Sequence, residues 1–338
     1  MRRYGPALAL TLASCSAIGP TNVARDRFDY NRVIGESNNE QMLLNVVRLH
    51  FRDVPMFMAV NSVLTQYVYS GGVTVNGATG VANGFDADSV GGSANLRYIE
   101  RPTITFSPMS GPEFAAQMLT PIPTELVFTL ISSGWPARDL LDMTLQRVNE
   151  LQNIPFEDRH GDAALVASPE FTRVVELIVE LARAGALEVQ RDVETNDAYL
   201  ILLDGASLGV EASVGEFREL VGLAGDISRF RIVENRIGRE RDEVTVRVRS
   251  LLALMGILAR GVDVLDPSGH TGSSPLAVRS SEERPSNAFV SVEYRGRWYS
   301  IADDDVLSRE AFSLLNYLFL MMASRPDAGG PLLTLPVS

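Results

Sequence analysis

Lysine is absent: all 30 basic residues of the 338-residue chain are arginine, set against 42 aspartates and glutamates for a net charge of -12. That balance excludes a nucleic-acid binder, because neutralising phosphates takes a basic stripe and these arginines are scattered among more numerous carboxylates. Nothing in their spacing asks for bidentate recognition at each position, so the missing lysine reads as a compositional bias of the genome. Cysteine is nearly absent too. Cys15 is the only one, which leaves no disulfide framework, and a chain this long can stand on its own core without one. With three histidines and no Walker or dinucleotide fingerprint, neither a cofactor nor a metal is expected. No repeat of about 20 to 50 residues recurs. At 46% hydrophobic and 21% charged the chain is far too apolar for a disordered one.

The clearest signal lies at the start. Arg2 and Arg3 precede the short apolar run Ala7-Leu8-Ala9-Leu10-Thr11-Leu12-Ala13, the layout of a secretory signal peptide. The run is shorter than the roughly 20 residues of a membrane-spanning helix. It closes on Leu12-Ala13-Ser14-Cys15, which resembles the lipobox of Gram-negative bacterial lipoproteins. The resemblance implies removal of residues 1–14 and acylation of Cys15, with palmitate among the attached chains. One acyl chain holds a protein only marginally, whereas the two or three of this family's modified cysteine anchor it durably. Ser16 follows where an aspartate is the family's usual inner-membrane retention signal, so outer-membrane sorting is implied. Residues 15–28, polar or small with Gly19 and Pro20, read as a tether.

The mature chain reads as α+β, mixing helices with antiparallel hairpins. An N-terminal α+β region is expected over 29–155, a C-terminal α+β domain over 156–325 and a Pro/Leu-rich tail over 326–338. The spacing predicts a helix over 29–50 stopped by Asp53-Val54-Pro55, and helices over 112–119 and 124–133, while 138–151 fits helix or strand. Ser168-Pro169 opens the most regular helix, which ends before Gly185. Strands are expected at 187–190, 198–203, 229–233 and 243–248, and helices at 214–224, at 250–260 capped by Gly261, and at 306–323. Residues 289–301 read as a hairpin turning at Arg295-Gly296.

Residues 66–106 stand apart as a long glycine-rich hairpin. Apolar and small residues alternate through Val73, Val75, Gly77, Thr79 and Val81, then, with the parity changed, through Val90, Gly92, Ala94, Leu96 and Tyr98. Setting Phe85 opposite Asp88 puts both sets on one side, Val81 facing Gly92 and Val75 facing Tyr98. Each arm exceeds the 9 to 11 residues, roughly, of a membrane strand, and Tyr67, Tyr69 and Tyr98 would gather like an interfacial girdle. Two readings stay open: one ribbon of an oligomeric barrel, or a soluble, partner-binding hairpin.

Candidates for chemistry are few. Gly205-Ala206-Ser207-Leu208-Gly209 matches the G-x-S-x-G nucleophile elbow, and Asp266 and His270 follow in serine-acid-histidine order. The next helix signal comes too late for an elbow, so a lipid-anchored serine hydrolase is the alternative reading and a surface turn the leading one. Asp158, His160 and Asp162 alternate beside a glycine and read as a solvated turn. Asp303-Asp304-Asp305 fits a helix start, and His50 a half-buried position in the first helix. Glu100-Arg101-Pro102-Thr103-Ile104-Thr105-Phe106 and the opening helix are similar to uncharacterised Gram-negative lipoproteins. The expectation is a non-enzymatic, outer-membrane envelope protein with a structural or assembly role. Its expected partners are membrane lipid through Cys15 and either other envelope proteins or copies of itself.

Overall fold

A computed structural model describes residues 20–82, 85–153, 167–205, 208–234, 240–262 and 274–322, with the side chains of 20–24 and of most of 65–101 outside that description. The fold is α+β, and the chain divides into two units, a body up to Phe57 and from Ser110 to Ser324, and a ribbon over Met58–Met109.

In the body, helix α1 runs from Pro20 to His50. It overrides the tether expected up to residue 28. Pro20 lacks only an N–H that a first turn leaves unused, and 21–28 hold no glycine or further proline to interrupt the helix. Its buried apolar side chains among the described residues, Met42, Leu43, Val46 and Val47, lie in its last turns. The helix stops where expected, with Arg52 in the left-handed region at φ 62.

Helices α2 (Pro112–Leu119) and α3 (Thr124–Ser132) follow, the latter ending before Gly134 at φ 95. The ambiguous stretch 138–151 turns out to be both structures: α4 (Ala137–Thr144) gives way to strands β3 (Leu145–Val148) and β4 (Leu151–Gln152), reversed through Asn149 at φ 47. Helix α5 (Pro169–Arg183) begins as its sequence demands, Ser168 accepting a hydrogen bond from the Phe171 N–H at 3.1 Å. Next come β5 (Leu187–Arg191), β6 (Ala198–Leu202), α6 (Glu211–Val221), β7 (Arg229–Glu234) and β8 (Glu243–Val248).

These strands form a six-stranded sheet in the order β4-β3-β8-β7-β6-β5, in which only β7 and β8 are parallel. Because β3 pairs with β8, one sheet joins residues on both sides of the boundary expected at 155/156. Alternate residues, among them Leu187, Leu200, Leu202, Phe230, Val244 and Val246, are buried on one face. Phe128 of α3, Ile178 of α5 and Phe217 of α6 close over Leu145, Leu200 and Val246 on that face.

Helix α7 (Leu251–Leu258) is capped by Ser250, which accepts from the Ala253 N–H. Gly261, expected as its C-cap, closes the 3-10 turn that follows, and a β-carbon there would lie 1.6 Å from the Leu276 carbonyl oxygen. Strands β9 (Arg279–Ser281), β10 (Ala288–Tyr294) and β11 (Arg297–Ala302) form a second sheet, ordered β10-β11-β9. Arg295 and Gly296, at φ 51 and 75, make the two-residue turn whose twist matches its strands. Helix α8 (Val306–Met322) buries Phe312, Leu314, Leu315 and Leu318. Asp305 accepts from the Ser308 N–H at its start, so an acidic cap does occupy that position. Among the described residues no helix is long and apolar enough to cross a membrane.

Candidate functional site: the ribbon and its root

The ribbon leaves the body immediately after a fixed point. Asn45, fully buried on the inner stripe of α1, donates from Nδ2 to the Met56 carbonyl at 2.8 Å and accepts the Met56 N–H on Oδ1 at 2.8 Å. One amide thus holds both backbone groups of the residue before Phe57. Phe57 is itself buried, stacked on Phe319 at 4.6 Å between centroids and edge-on to Phe114 at 5.9 Å. The turn after α1 is held as well. Tyr294 donates its hydroxyl to the Asp53 carboxylate, Arg295 reaches the same oxygen at 2.7 Å, and the Arg295 guanidinium lies over the Phe51 ring. The Tyr294 hydrogen bond, supported by the charge of Arg295, holds the Asp53 pKa below its usual value.

Nothing local announces this clamp. Asn45 shows in the sequence only as a polar residue on the apolar stripe between Met42 and Val46, and Asp53 only as a helix stop. His50 departs from expectation by being exposed, with Nδ1 3.1 Å from the Ala259 carbonyl and its ring edge-on to Phe51. It sits in the last residue of α1, where the buried stripe has already ended.

The ribbon consists of β1 (Phe57–Ala82, 26 residues) and β2 (Phe85–Met109, 25 residues), paired only with each other among the described residues. At about 3.3 Å per residue each arm is roughly 85 Å long. It therefore outruns the expected 66–106 at both ends. β1 ends at Ala82 and β2 begins at Phe85, so Asp86 and Ala87, expected between the paired Phe85 and Asp88, belong to β2. Near the base Asn61 donates to the Ser107 hydroxyl at 2.8 Å, linking the two strands. Glycine-rich strands specify register weakly, since few side chains penalise a slip. The side chains of the pairs expected to share one face, and those of Tyr67, Tyr69 and Tyr98, lie outside the described residues. At the base Met58, Leu64, Ile104 and Phe106 are exposed. Pro102 is tolerated inside β2 because each strand of a two-stranded sheet has a free edge toward which its nitrogen can point.

The other sequence candidates, Cys15, Ser207, Asp266 and His270, with Asp158, His160 and Asp162, lie outside the described residues. The Gly205 carbonyl accepts from the N–H groups of Leu208 and Val210, and a β-carbon at Gly205 would come within 2.8 Å of the Val210 and Glu211 backbone. That glycine is thus required by a tight turn, the helix beyond it starts only at Glu211, and β6 before it has antiparallel neighbours on both sides. Among the described residues no cluster of histidine, cysteine and carboxylate side chains is arranged to hold a metal. A comparison with protein-family models, curated proteins and solved structures finds no match.

Proposed function

We propose that this is a non-enzymatic envelope protein, anchored in the outer membrane by acyl chains on Cys15, whose body carries a ribbon that pairs with ribbons of other copies. The observation that carries the reading is the two-stranded ribbon of 26 and 25 residues whose outer edges have no strand partner among the described residues. An open edge presents a row of free N–H and C=O groups, and a long one is a template for another strand. In a membrane each unpaired group costs several kcal/mol, roughly, so a ribbon entering lipid would have to close with others into a barrel. The lipobox-like tetrapeptide Leu12-Ala13-Ser14-Cys15 supports the anchor, and the clamp on Met56 gives the ribbon a fixed starting point.

Deleting residues 72–97 tests the assembly role. The shortened protein, extracted in detergent, is expected to keep the urea midpoint of its body while its native mass falls to that of a single copy. An unchanged mass and an unchanged set of co-purifying proteins would refute the reading.

A further inference from the structure

On the body, far in sequence from the ribbon, β5 forms one edge of the six-stranded sheet. Its register with β6 pairs Leu187 with Leu202 and Arg191 with Ala198. The flanking bonds from the Leu203 N–H to the Ala186 carbonyl and from the Asp192 N–H to the Asp197 carbonyl fix which residues face β6. By alternation Glu188 and Gln190 bond to β6, and the N–H and C=O groups of Leu187, Val189 and Arg191 point away from it. No hydrogen bond to those outward groups exists among the described residues. Beside this edge runs a groove of about 860 Å³, walled by Phe128 and Ile131 of α3, Trp135, and Val179 of α5, with Leu187 and Val189 as its floor. Except for Leu187 these side chains are half-buried, and Thr129, Ser132 and Ser133 line the groove with them, so it is open and mixes apolar with polar surface.

Four charged residues line it, two of each sign. Glu125 is neutralised by Arg191 at 2.6 Å, and Glu188, which alternates away from Leu187 and Val189, accepts a hydrogen bond from Gln190, whereas Arg183, at the Leu187 end, is exposed and has no ion-pair partner among the described residues. We infer that the β5 groove docks an extended segment of a partner polypeptide, added as an antiparallel strand, apolar at alternate positions and carrying a carboxylate at its C-terminal end. In an antiparallel pair the residues that exchange hydrogen bonds carry side chains on the same face. A partner residue bonding to Val189 therefore sends its side chain into the groove. The partner's C-terminal end comes to the start of β5, beside Arg183. Main-chain bonds supply affinity in such strand addition and the alternate pockets supply specificity.

The test uses the full-length protein and the labelled peptide acetyl-Val-Thr-Val-Thr-Val-Thr-Asp-amide. Methylating the backbone nitrogens of two valines removes bonds to β5 and is expected to weaken binding about tenfold or more; methylating two threonine nitrogens, which face solvent, should change it less than about threefold. Val189→Pro removes an N–H that β6 does not use, so the protein stays folded by circular dichroism while peptide affinity drops about tenfold. Arg183→Glu should favour a lysine-ended peptide over the aspartate-ended one. Absence of saturable binding up to about 1 mM, equal loss from both methylation patterns, or unchanged affinity in Val189→Pro would each overturn the inference. Deleting 72–97 leaves this binding intact, so it stands or falls apart from ribbon assembly.

Discussion

Replacing Asn45 by alanine removes both hydrogen bonds to the Met56 backbone, each 2.8 Å long, together with a fully buried amide. Each intramolecular bond contributes about 1 kcal/mol net. Leaving a buried group unsatisfied costs more, but Met56 is 60% exposed and both bonds are only partly buried, so the lower figure applies. The vacated space adds somewhat, giving a loss of about 2–3 kcal/mol. In urea the midpoint should fall with the slope unchanged, because the surface exposed on unfolding is the same. Met56→Ala is the internal control: it deletes an exposed side chain and keeps both backbone bonds, so its loss should stay under about 0.5 kcal/mol. A loss in Asn45→Ala no larger than in Met56→Ala would refute the clamp.

Gly261→Ala drives a β-carbon onto the Leu276 carbonyl and should cost more than about 4 kcal/mol, read by thermal unfolding; a wild-type melt would contradict the packing. Arg249 is buried and donates to the carbonyls of Asp142, Met143 and Leu145 at the end of α4, at 3.1, 2.8 and 2.8 Å. Burial pulls its pKa down to about 10, which leaves it charged at neutral pH, and Arg249→Met should destabilise the body by roughly 3–5 kcal/mol in urea. Arg173 grips Glu216 through two 2.7 Å bonds, and these hold the glutamate below its usual 4.5. A carboxylate with a lowered folded-state pKa contributes stability above the unfolded value that is lost as pH falls through the folded one. The gap in melting temperature between wild type and Glu216→Gln should therefore narrow from about pH 7 to about pH 3, and a constant gap would count against the pair. A fluorophosphonate probe should leave the folded protein unlabelled; labelling abolished by Ser207→Ala would establish the hydrolase instead.

What could be read from the chain is what local chemistry dictates. Ser168-Pro169 and Gly185 bracket α5 because a cap, a first-turn proline and a positive-φ residue each suit one position only. Arg295-Gly296 marks its hairpin for the same reason. Residues 138–151 resisted a single assignment because helix and strand meet inside them at Thr144 and Leu145. The ribbon's existence was legible in its glycine, valine and threonine content, whereas a period of two with few large side chains fits several register offsets. Asn45 and Asp53 were invisible as site residues because their partners, Met56 across a turn and Tyr294 far along the chain, come from tertiary structure. The β5 groove depends likewise on α3 and α5 folding beside an edge strand.

The decisive measurement is the mass of the particle extracted from the membranes of the native host, taken first intact and then after denaturation. The account predicts the mass of two or more subunits, each subunit starting at Cys15 and carrying the added mass of its acyl chains. A single copy, or a subunit with a free Cys15 thiol or another N-terminus, would contradict it.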